Sequence, residues 1–423
     1  RSTASGSSCS SWQESRLPRS SFSTSSSELS GPAPGPWLRL TALAAAGTTL
    51  LAVISGAAGP SATHRLLAAL ALPPLVALVL AGWFAHRRLL PPAAVALVLF
   101  AVAALLTAEI VHTVAAAAAF AAALVATAAT LRREAAPPAA WRDYVILTKP
   151  RIMSLLLVTG LCGMFVGARG VPPLWLIGVT MLGLALACGG ASALNNVLDR
   201  DIDRLMGNRT QARPLAAERM PTSLALEFGL ALSAFSFVLL ASAVNVLTAT
   251  LALAGNLFYV LVYTRWLKRS TPQNIVIGGA AGAVPPLVGW AAATGNLTLP
   301  ALGLFLIVFL WTPPHFWALA LLLRDHYAAA RIPMLPVVRG VRATTGQIVL
   351  YSIVLVVATA VPFLGGTVGI GYLVAALGLG AVFLWLAVRL RRDTTPRRAA
   401  FLFHYSLLYL ALVFVAMALD VTL

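Results

Sequence analysis

Long apolar segments recur along this chain, and they constrain its fold more than any other feature of the sequence. Hydrophobic residues make up 59% of the 423 residues, and charged residues only 10%. An apolar run of about 18 or more residues is long enough to cross a bilayer as a helix. Because a bilayer offers the backbone no water, each run must satisfy its own hydrogen bonds in that form. We therefore predict an all-α, polytopic membrane protein embedded in a lipid bilayer.

The apolar runs predict four helices followed by nine. These helices cover residues 37–58, 64–85, 92–108, 110–131, 145–167, 173–194, 222–243, 246–264, 275–293, 299–323, 346–364, 371–390 and 400–419. Residues 1–36 are rich in Ser, Gly and Pro, and such a composition favours disorder. The predicted organisation is a disordered tail at 1–36, a four-helix transmembrane extension at 37–135 and a nine-helix domain at 141–423.

The basic residues predict how the helices are oriented. The net charge of +17 reflects 30 Lys and Arg against 13 Asp and Glu. With the N-terminus inside, every Lys and Arg except Arg65 and Arg169 falls on one side. By the positive-inside rule that side is cytoplasmic, so the C-terminus lies outside, and the inner (plasma) membrane is the expected location. This topology accounts for the charge, and we predict no nucleic-acid binding.

An acidic cluster stands at the cytoplasmic end of one predicted helix. Asp199, Asp201 and Asp203 directly follow an apolar run, where carboxylates are costly and tend to be kept for a function. On a helix Asn195, Asp199 and Asp203 share one face, whereas Asp201 points away. An amide and two carboxylates on one face suit a hard cation such as Mg²⁺ that holds a phosphate.

Basic residues on the same predicted face supply the other parts of a diphosphate site. The loop after the cluster carries Arg209 and Arg213, and a third, basic segment carries Lys268 and Arg269. The second polar segment is 324–337, about 120 residues after the acidic cluster. Arginine forks bind phosphate oxygens bidentately, and cations with a metal stabilise a diphosphate leaving group. Each arginine taken singly is explained equally well as a topology determinant. Together with the acidic cluster, the basic residues favour a diphosphate site under a cytoplasmic cap.

Several segments resemble the UbiA-type intramembrane prenyltransferases, in particular their protohaem IX farnesyltransferase (haem O synthase) branch. They are Leu-Thr-Lys-Pro-Arg at 147–151, the NxxxDxxxD pattern at 195–203, 271–290, Trp-Thr-Pro-Pro-His at 311–315, and 332–338. The resemblance runs from about Trp141 to the C-terminus. It implies a nine-helix UbiA-type bundle that transfers farnesyl from farnesyl diphosphate to a vinyl group of haem b, with water added, giving haem O.

The resemblance also implies roles for individual residues. Mg²⁺ would bridge the diphosphate to Asn195, Asp199 and Asp203. Many superfamily members carry a second acidic motif, where this chain offers Asp325 with Tyr327 beside it. We expect Asp325 to bind or orient a shared Mg²⁺, and we count Tyr327 with the catalytic residues.

Three further residues are candidates for binding the substrates. Lys149 and Arg151 are expected to reach the diphosphate or a haem propionate, although anchoring at the membrane surface explains them almost as well. His315 follows paired prolines that we expect to break a helix at membrane depth. A haem substrate would use it as an iron ligand or as a propionate partner. The alternative is that His315 bonds a carbonyl freed by the prolines.

The four N-terminal helices resemble one half of haem A synthase. The resemblance rests on His64 and His112, which open two helices and would form a haem-binding pair on the outer side. Ser61 stands where that family carries a Glu, so we expect a degenerate remnant. Retained haem binding and unrelated extra helices are the alternatives. A partnership with haem A synthase is an expectation from the pathway.

Two other classes of function share part of this pattern. A sister prenyltransferase acting on a quinone precursor or another aromatic acceptor would carry the same acidic motif. A non-enzymatic membrane carrier of haem or lipid could use a His and paired prolines at the midplane. The carrier hypothesis does not explain acidic and arginine-rich loops on one face. Only the branch-specific segments speak against the sister enzyme.

Overall fold

The described part of the protein is built from helices. The computed structural model describes residues 35–57, 62–84, 89–105, 109–130 and 139–423. No strand occurs within these ranges, which confirms the predicted fold class. Eleven of the described helices are long and apolar enough to cross a membrane, and shorter apolar helices contain Leu90–Ala103 and Ala115–Thr127. Disorder was predicted for residues 1–36. Of these, residues 1–34 lie outside the described ranges.

The helices agree with the predicted order of four followed by nine. The first four are α1 (Pro36–Ala57), α2 (Ala62–Phe84), α3 (Leu90–Leu105) and α4 (Glu109–Thr130). The next group is α5 (Trp141–Thr148), α6 (Pro150–Ala168), α7 (Leu174–Leu198), α8 (Arg200–Leu205), α9 (Asn208–Gln211), α10 (Thr222–Ala243) and α11 (Val246–Leu257). A π-helix (Phe258–Leu267) follows, and then come α12 (Lys268–Ser270), α13 (Asn274–Gly282), α14 (Val284–Thr294) and α15 (Leu299–Leu322). The chain ends with α16 (Arg324–Ala329), α17 (Leu335–Val338), α18 (Gly340–Ala358), α19 (Val361–Leu364), α20 (Ile370–Arg392) and α21 (Pro396–Asp420).

Three differences between the predicted and the observed helices bear on the site. The helix predicted at 145–167 is two helices, because Lys149 adopts a left-handed conformation (φ 51°) and Pro150 starts α6. The helix predicted to end at 264 continues through the π-helix into α12. Conversely, Pro313 and Pro314 do not break α15, which runs straight through them. The residues that bear on the site are thus placed by irregularities that hydrophobic periodicity does not reveal.

Close helix contacts hold the nine-helix part together. A Cβ added at Gly289 on α14 would collide with the carbonyl of Gly160 on α6. One turn along, a Cβ at Gly163 would collide with Pro286. Glycine therefore lets these two backbones pack directly against each other, as small residues commonly do between membrane helices.

The extension packs on the nine-helix part through α4. Phe120 and Ala117 of α4 form a buried apolar cluster with Ala234 and Val238 of α10. Within the extension, the Thr127 hydroxyl donates to the carbonyl of Ala42 at 2.9 Å. The extension therefore lies against the flank of the bundle, whereas its predicted status as a separate domain stays a prediction.

Candidate functional site

Asn195, Asp199 and Asp203 form one buried stripe at the junction of α7 and α8. Helical hydrogen bonds continue through the junction, from the Asp199 amide to the Asn195 carbonyl (2.9 Å) and from the Asp203 amide to the Asp199 carbonyl (2.8 Å). The three residues are only 3%, 1% and 2% exposed. The Asp201 side chain, in contrast, is 63% exposed. The structure thus places the stripe and the outlying Asp201 as the spacing indicates.

Each carboxylate of the stripe faces a basic side chain. Lys268 Nζ lies 2.6 Å from Asp199 Oδ2. Arg213 Nη1 lies 2.7 and 2.8 Å from the two carboxylate oxygens of Asp203. Burial raises the pKa of Asp203, and the charge of Arg213 opposes that shift. Two buried anions and two cations therefore meet at the predicted cytoplasmic end of the bundle.

The amide of Asn195 links this cluster to Lys149. Lys149 Nζ donates to Asn195 Oδ1 at 2.8 Å, and Asn195 Nδ2 donates to Asp199 Oδ2 at 2.8 Å. The orientation of the amide is fixed, because an ammonium only donates and a carboxylate only accepts. The predicted metal role of Asn195 stays a prediction, and its amide oxygen already accepts one hydrogen bond, from Lys149.

The left-handed turn at Lys149 brings its ammonium into this buried position. Burial lowers the pKa of Lys149 to about 7, and the nearby charge of Arg213 lowers it further, whereas Asp199 raises it. Lys149, Arg213 and Lys268 thus surround the stripe with three cationic groups. We name the six residues of the stripe and its cations the anion-and-amide cluster: Lys149, Asn195, Asp199, Asp203, Arg213 and Lys268.

Two of the predicted diphosphate residues do not join the anion-and-amide cluster. Arg269 binds both oxygens of Asp201 at 2.7 Å and donates to the Leu198 carbonyl at 2.7 Å, so its guanidinium is directed to the exposed side. Arg151 is exposed on the first turn of α6. The side chain of Arg209 lies outside the described residues. The roles predicted for these three arginines stay predictions.

In the second polar segment (324–337), the charges of the cluster act on Tyr327. Burial raises the pKa of Tyr327 to about 12, and the charges of Arg213 and Asp199 also act on its phenol. Asp325 is exposed, with no hydrogen bond among the described residues. In the described ranges no three His, Cys, Asp or Glu side chains form a group that could hold a metal. The shared-ligand role of Asp325 therefore stays a prediction.

The loop after the stripe touches the second polar segment, at Gly207 and His326. Gly207 adopts a positive φ of 87°, and a Cβ there would lie 2.8 Å from a ring carbon of His326. Glycine is needed at this position both for its conformation and for the close approach of the imidazole. The loop at Gly207 and the segment at His326 therefore meet, whereas the cytoplasmic cap stays a prediction.

His315 is buried between two aromatic rings inside the bundle. Its ring centroid lies 4.2 Å from that of Trp311 and 4.7 Å from that of Phe403. Its Nδ1 pairs with Ser406 Oγ at 2.6 Å. The partner is thus a hydroxyl of α21, and not a carbonyl freed by the prolines, which corrects the alternative explanation of this residue. A haem-binding role for His315 stays a prediction.

The predicted histidine pair of the extension is only partly described. His64 lies near the start of α2, and its Nδ1 is 2.9 Å from the carbonyl of Ala52 on α1. His112 belongs to α4, but its side chain lies outside the described residues. A haem-ligating pair therefore stays a prediction.

A cavity of about 350 Å³ lies at the opposite end of α6 from Lys149, between Arg169, Thr367 and Asp420. It contains none of the predicted site residues, so it bears on no role assigned above.

Comparison with known proteins now identifies the family. The UbiA prenyltransferase family profile matches residues 156–413. A protoheme IX farnesyltransferase of Symbiobacterium thermophilum is 57% identical over 283 residues, covering 66% of this chain and 94% of that protein. The chain belongs to the UbiA prenyltransferase family. This membership confirms both the resemblance drawn from the motifs and the prediction of a prenyltransferase enzyme.

Other family members agree with this assignment. A protoheme IX farnesyltransferase of a Roseiflexus species is 52% identical over 279 residues, covering 66% of this chain. This chain spans 52% of the length of that relative. The solved structure of a digeranylgeranylglyceryl phosphate synthase is 17% identical, with a TM-score of 0.56 over 66% of this chain and 98% of its own. The UbiA-type helical fold is therefore confirmed.

Sequence reasoning missed several residues around the site. Thr264 of the π-helix accepts from Asn195 Nδ2 at 3.0 Å and donates to the Tyr259 carbonyl at 2.8 Å. The rings of Tyr259 and Tyr263 stack 5.6 Å apart on the same π-helix. π-Helical turns are frequent at functional sites, yet this one leaves no mark in the apolar pattern. In the sequence, Thr264 stands four residues before Lys268, and this spacing was the available sign that the two share a helix face.

A second missed feature anchors the loop of Arg213. Asp143 of α5 is 5% exposed and accepts from Arg219 Nε and Nη2 at 3.1 and 3.0 Å. The same guanidinium donates to the Ala212 carbonyl at 3.1 Å, directly before Arg213. As an acidic residue on a short amphipathic helix, Asp143 gave no reason to expect Arg219 as its partner.

Proposed function

We propose that this enzyme transfers the farnesyl group of farnesyl diphosphate to a vinyl group of protohaem IX (haem b), giving haem O. The single observation that carries the proposal is the anion-and-amide cluster at the end of an apolar helical bundle, in a chain whose relatives bear the name protoheme IX farnesyltransferase. In the balanced reaction, farnesyl diphosphate, haem b and water give haem O, diphosphate and a proton.

The residues present fit a magnesium ion. Asp199 Oδ1 is buried and has no hydrogen-bond partner, whereas its Oδ2 bonds Asn195 and Lys268. Mg²⁺ is usually held by one or two carboxylates together with water and substrate phosphates, so Asp199 and Asp203 suffice to hold it. Bound there, the ion would neutralise charge on the diphosphate leaving group.

The chain's own cations complete the leaving-group site. Lys149, Arg213 and Lys268 present their charges within one cluster, and each has donors that phosphate oxygens accept. When the allylic C–O bond breaks, its electron pair stays on the diphosphate, and these donors stabilise that charge. We assign Asn195 and Thr264 to orienting Asp199, and Tyr327 to the edge of the same site.

The apolar bundle suits the remaining steps. A farnesyl chain is a hydrocarbon that a cavity between membrane helices accommodates, and exclusion of water protects the allylic cation until the vinyl group attacks. The terminal vinyl carbon forms the new C–C bond, and water adds to the adjacent carbon with loss of a proton. We assign haem binding to the region of His315.

The location and the extension complete the proposal. We place the protein in the inner (plasma) membrane as a multi-pass protein, with the N-terminus and active-site loops cytoplasmic and the C-terminus outside. All three cations of the cluster lie at one end of the bundle, which supports this orientation. We take the extension to be a degenerate haem A synthase-like half, and haem A synthase to be the expected partner that receives haem O.

Purified membranes test this function directly. They are incubated with haem b, farnesyl diphosphate and Mg²⁺, and haem O is detected by its mass. Haem O should form only when all three are present. If haem stays unmodified while a quinone precursor is prenylated, the acceptor is wrong and the sister enzyme is right. If neither acceptor is prenylated, the enzymatic assignment itself fails.

A further inference from the structure

A hydrogen-bond network centred on Ser406 holds His315 inside the bundle. Ser406 lies on α21 and is fully buried. Its hydroxyl is 2.6 Å from the Phe403 carbonyl and 2.6 Å from His315 Nδ1. Its own carbonyl accepts a hydrogen bond from Trp311 Nε1 at 2.7 Å. One residue thus contacts the imidazole and both residues whose rings enclose it.

These contacts point to one tautomer of His315. A serine hydroxyl has one hydrogen, and the Ser406 hydroxyl is placed to donate it to the Phe403 carbonyl. With that hydrogen on the carbonyl, the oxygen of Ser406 accepts from His315, and we assign the imidazole proton to Nδ1. In the neutral ring Nε2 therefore keeps its lone pair.

The surroundings favour the neutral form and a fixed ring plane. His315 is 6% exposed and lies within the membrane-spanning helix α15, where a charge without a partner is costly. The rings of Trp311 and Phe403 lie nearly parallel to the imidazole, at 16° and 22°. His315 is thus a rigid, neutral imidazole with its lone pair at Nε2.

This state distinguishes the two uses of a histidine for haem. A propionate requires a hydrogen-bond donor or a cation, and a lone pair at Nε2 is neither. Haem iron requires such a lone pair, and metal-binding histidines regularly donate their other N–H to a fixed acceptor. We propose that His315 Nε2 ligates the iron of the haem substrate and that Ser406 is the positioning residue that sets its tautomer. The proposal rests on the proposed function, in which haem b is the acceptor.

Two porphyrins that differ only in iron test the proposal. The purified full-length protein is titrated with haem b and, separately, with metal-free protoporphyrin IX. His315→Ala should weaken haem binding, abolish the absorption spectrum of histidine-ligated haem and leave the affinity for protoporphyrin IX unchanged. Added imidazole should restore the histidine-ligated spectrum of His315→Ala, because it supplies the missing ligand.

Variants of Ser406 test the positioning role separately. Loss of an outer hydrogen bond to a metal ligand typically lowers metal affinity about 10–100-fold. Ser406→Ala should therefore weaken haem binding by roughly that factor and spare protoporphyrin IX, and Ser406→Thr should restore haem affinity. Ser352→Ala is the matched control, because Ser352 is also fully buried in a helix but its hydroxyl bonds only the Ile348 carbonyl, at 2.6 Å. It should bind haem like the wild type.

The possible outcomes separate the two proposals. Equal loss of haem and protoporphyrin IX in His315→Ala would make this residue a propionate partner and overturn the iron assignment. Unchanged haem binding in His315→Ala would overturn it as well, even if the wild type makes haem O. If His315→Ala fails to fold, the Ser406 series decides, and an unchanged haem affinity in Ser406→Ala contradicts the positioning role. A wild type that binds haem with the spectrum of histidine-ligated iron but forms no haem O would refute the proposed function alone.

Discussion

The ion pair between Lys268 and Asp199 predicts an unusual dependence of stability on magnesium. Lys268 is the closest cation to Asp199, at 2.6 Å, and the two side chains are 12% and 1% exposed. Lys268→Met removes the charge and keeps much of the apolar stem. Asp199 then stays buried with the Asn195 amide as its remaining hydrogen-bond donor at Oδ2.

The magnitude follows from the burial of the pair. Removing one partner of a buried ion pair destabilises a protein by about 3–5 kcal/mol, because an uncompensated charge remains. Lys149 also lies near Asp199, so we expect a value at about the lower end of that range. Mg²⁺ binding to the carboxylates would compensate the same charge. Saturating Mg²⁺, without the diphosphate that Lys268 is itself proposed to bind, should therefore stabilise Lys268→Met more than it stabilises the wild type.

Chemical unfolding of the purified protein in detergent, with and without Mg²⁺ and with no diphosphate added, measures this effect. Arg265→Met is the matched control, since Arg265 lies on the π-helix with an exposed side chain and no ion pair among the described residues. The control should unfold like the wild type under both conditions. If Lys268→Met unfolds like the control, or if Mg²⁺ stabilises it no more than the wild type, the cluster is not a metal-compensated site.

Three further predictions concern the cluster and the helix packing. Arg213→Lys replaces the guanidinium that meets both Asp203 oxygens and removes a charged hydrogen bond that this group would give to the diphosphate, worth about 1.5–3 kcal/mol. KM for farnesyl diphosphate should therefore rise roughly ten- to a hundredfold. The exposed Arg397→Lys should leave KM unchanged, and equal KM values would refute the role. Burial lowers the pKa of Lys149 to about 7 from 10.5. Between these two pH values the unfolded chain binds one more proton than the folded protein, so the unfolding free energy should rise with pH by up to about 1.4 kcal/mol per unit. That contribution is lost as pH falls through about 7. Lys149→Met should lack this pH dependence, and identical pH profiles of Lys149→Met and the wild type in unfolding titrations would contradict the burial argument. Gly289→Ala should lower the unfolding free energy by about 1–3 kcal/mol through overpacking, whereas Gly178→Ala, which meets no atom within 4 Å, should be neutral or stabilising; similar values for both would mean that the helices simply move apart.

The order of the helices was predictable because membrane spanning imposes a length and a composition on each segment. Every predicted helix has a counterpart in the structure. Hydropathy does not register local changes in backbone geometry that leave a segment apolar. The turn at Lys149 and the π-helix before Lys268 are of this kind, and both deliver cations to the site.

The stripe itself was predictable from spacing, whereas its partners were not. A spacing of four places Asn195, Asp199 and Asp203 on one face whatever surrounds them. Which cation meets which carboxylate depends on how distant helices pack. Arg269 illustrates the limit, since it is adjacent to Lys268 in the chain but binds the outlying Asp201. Ser406 lies 91 residues from His315, and nothing in either local pattern connects them.

Formation of haem O by wild-type protein and by Asp199→Asn tests the central claim most directly. Asp199 supplies the buried carboxylate oxygen without a partner, and its replacement by Asn removes the charge while retaining the shape. The wild type should convert haem b to haem O when farnesyl diphosphate and Mg²⁺ are both present, and Asp199→Asn should lose nearly all of this activity while still binding haem. Undiminished haem O formation by Asp199→Asn would show that the diphosphate and its metal are held elsewhere.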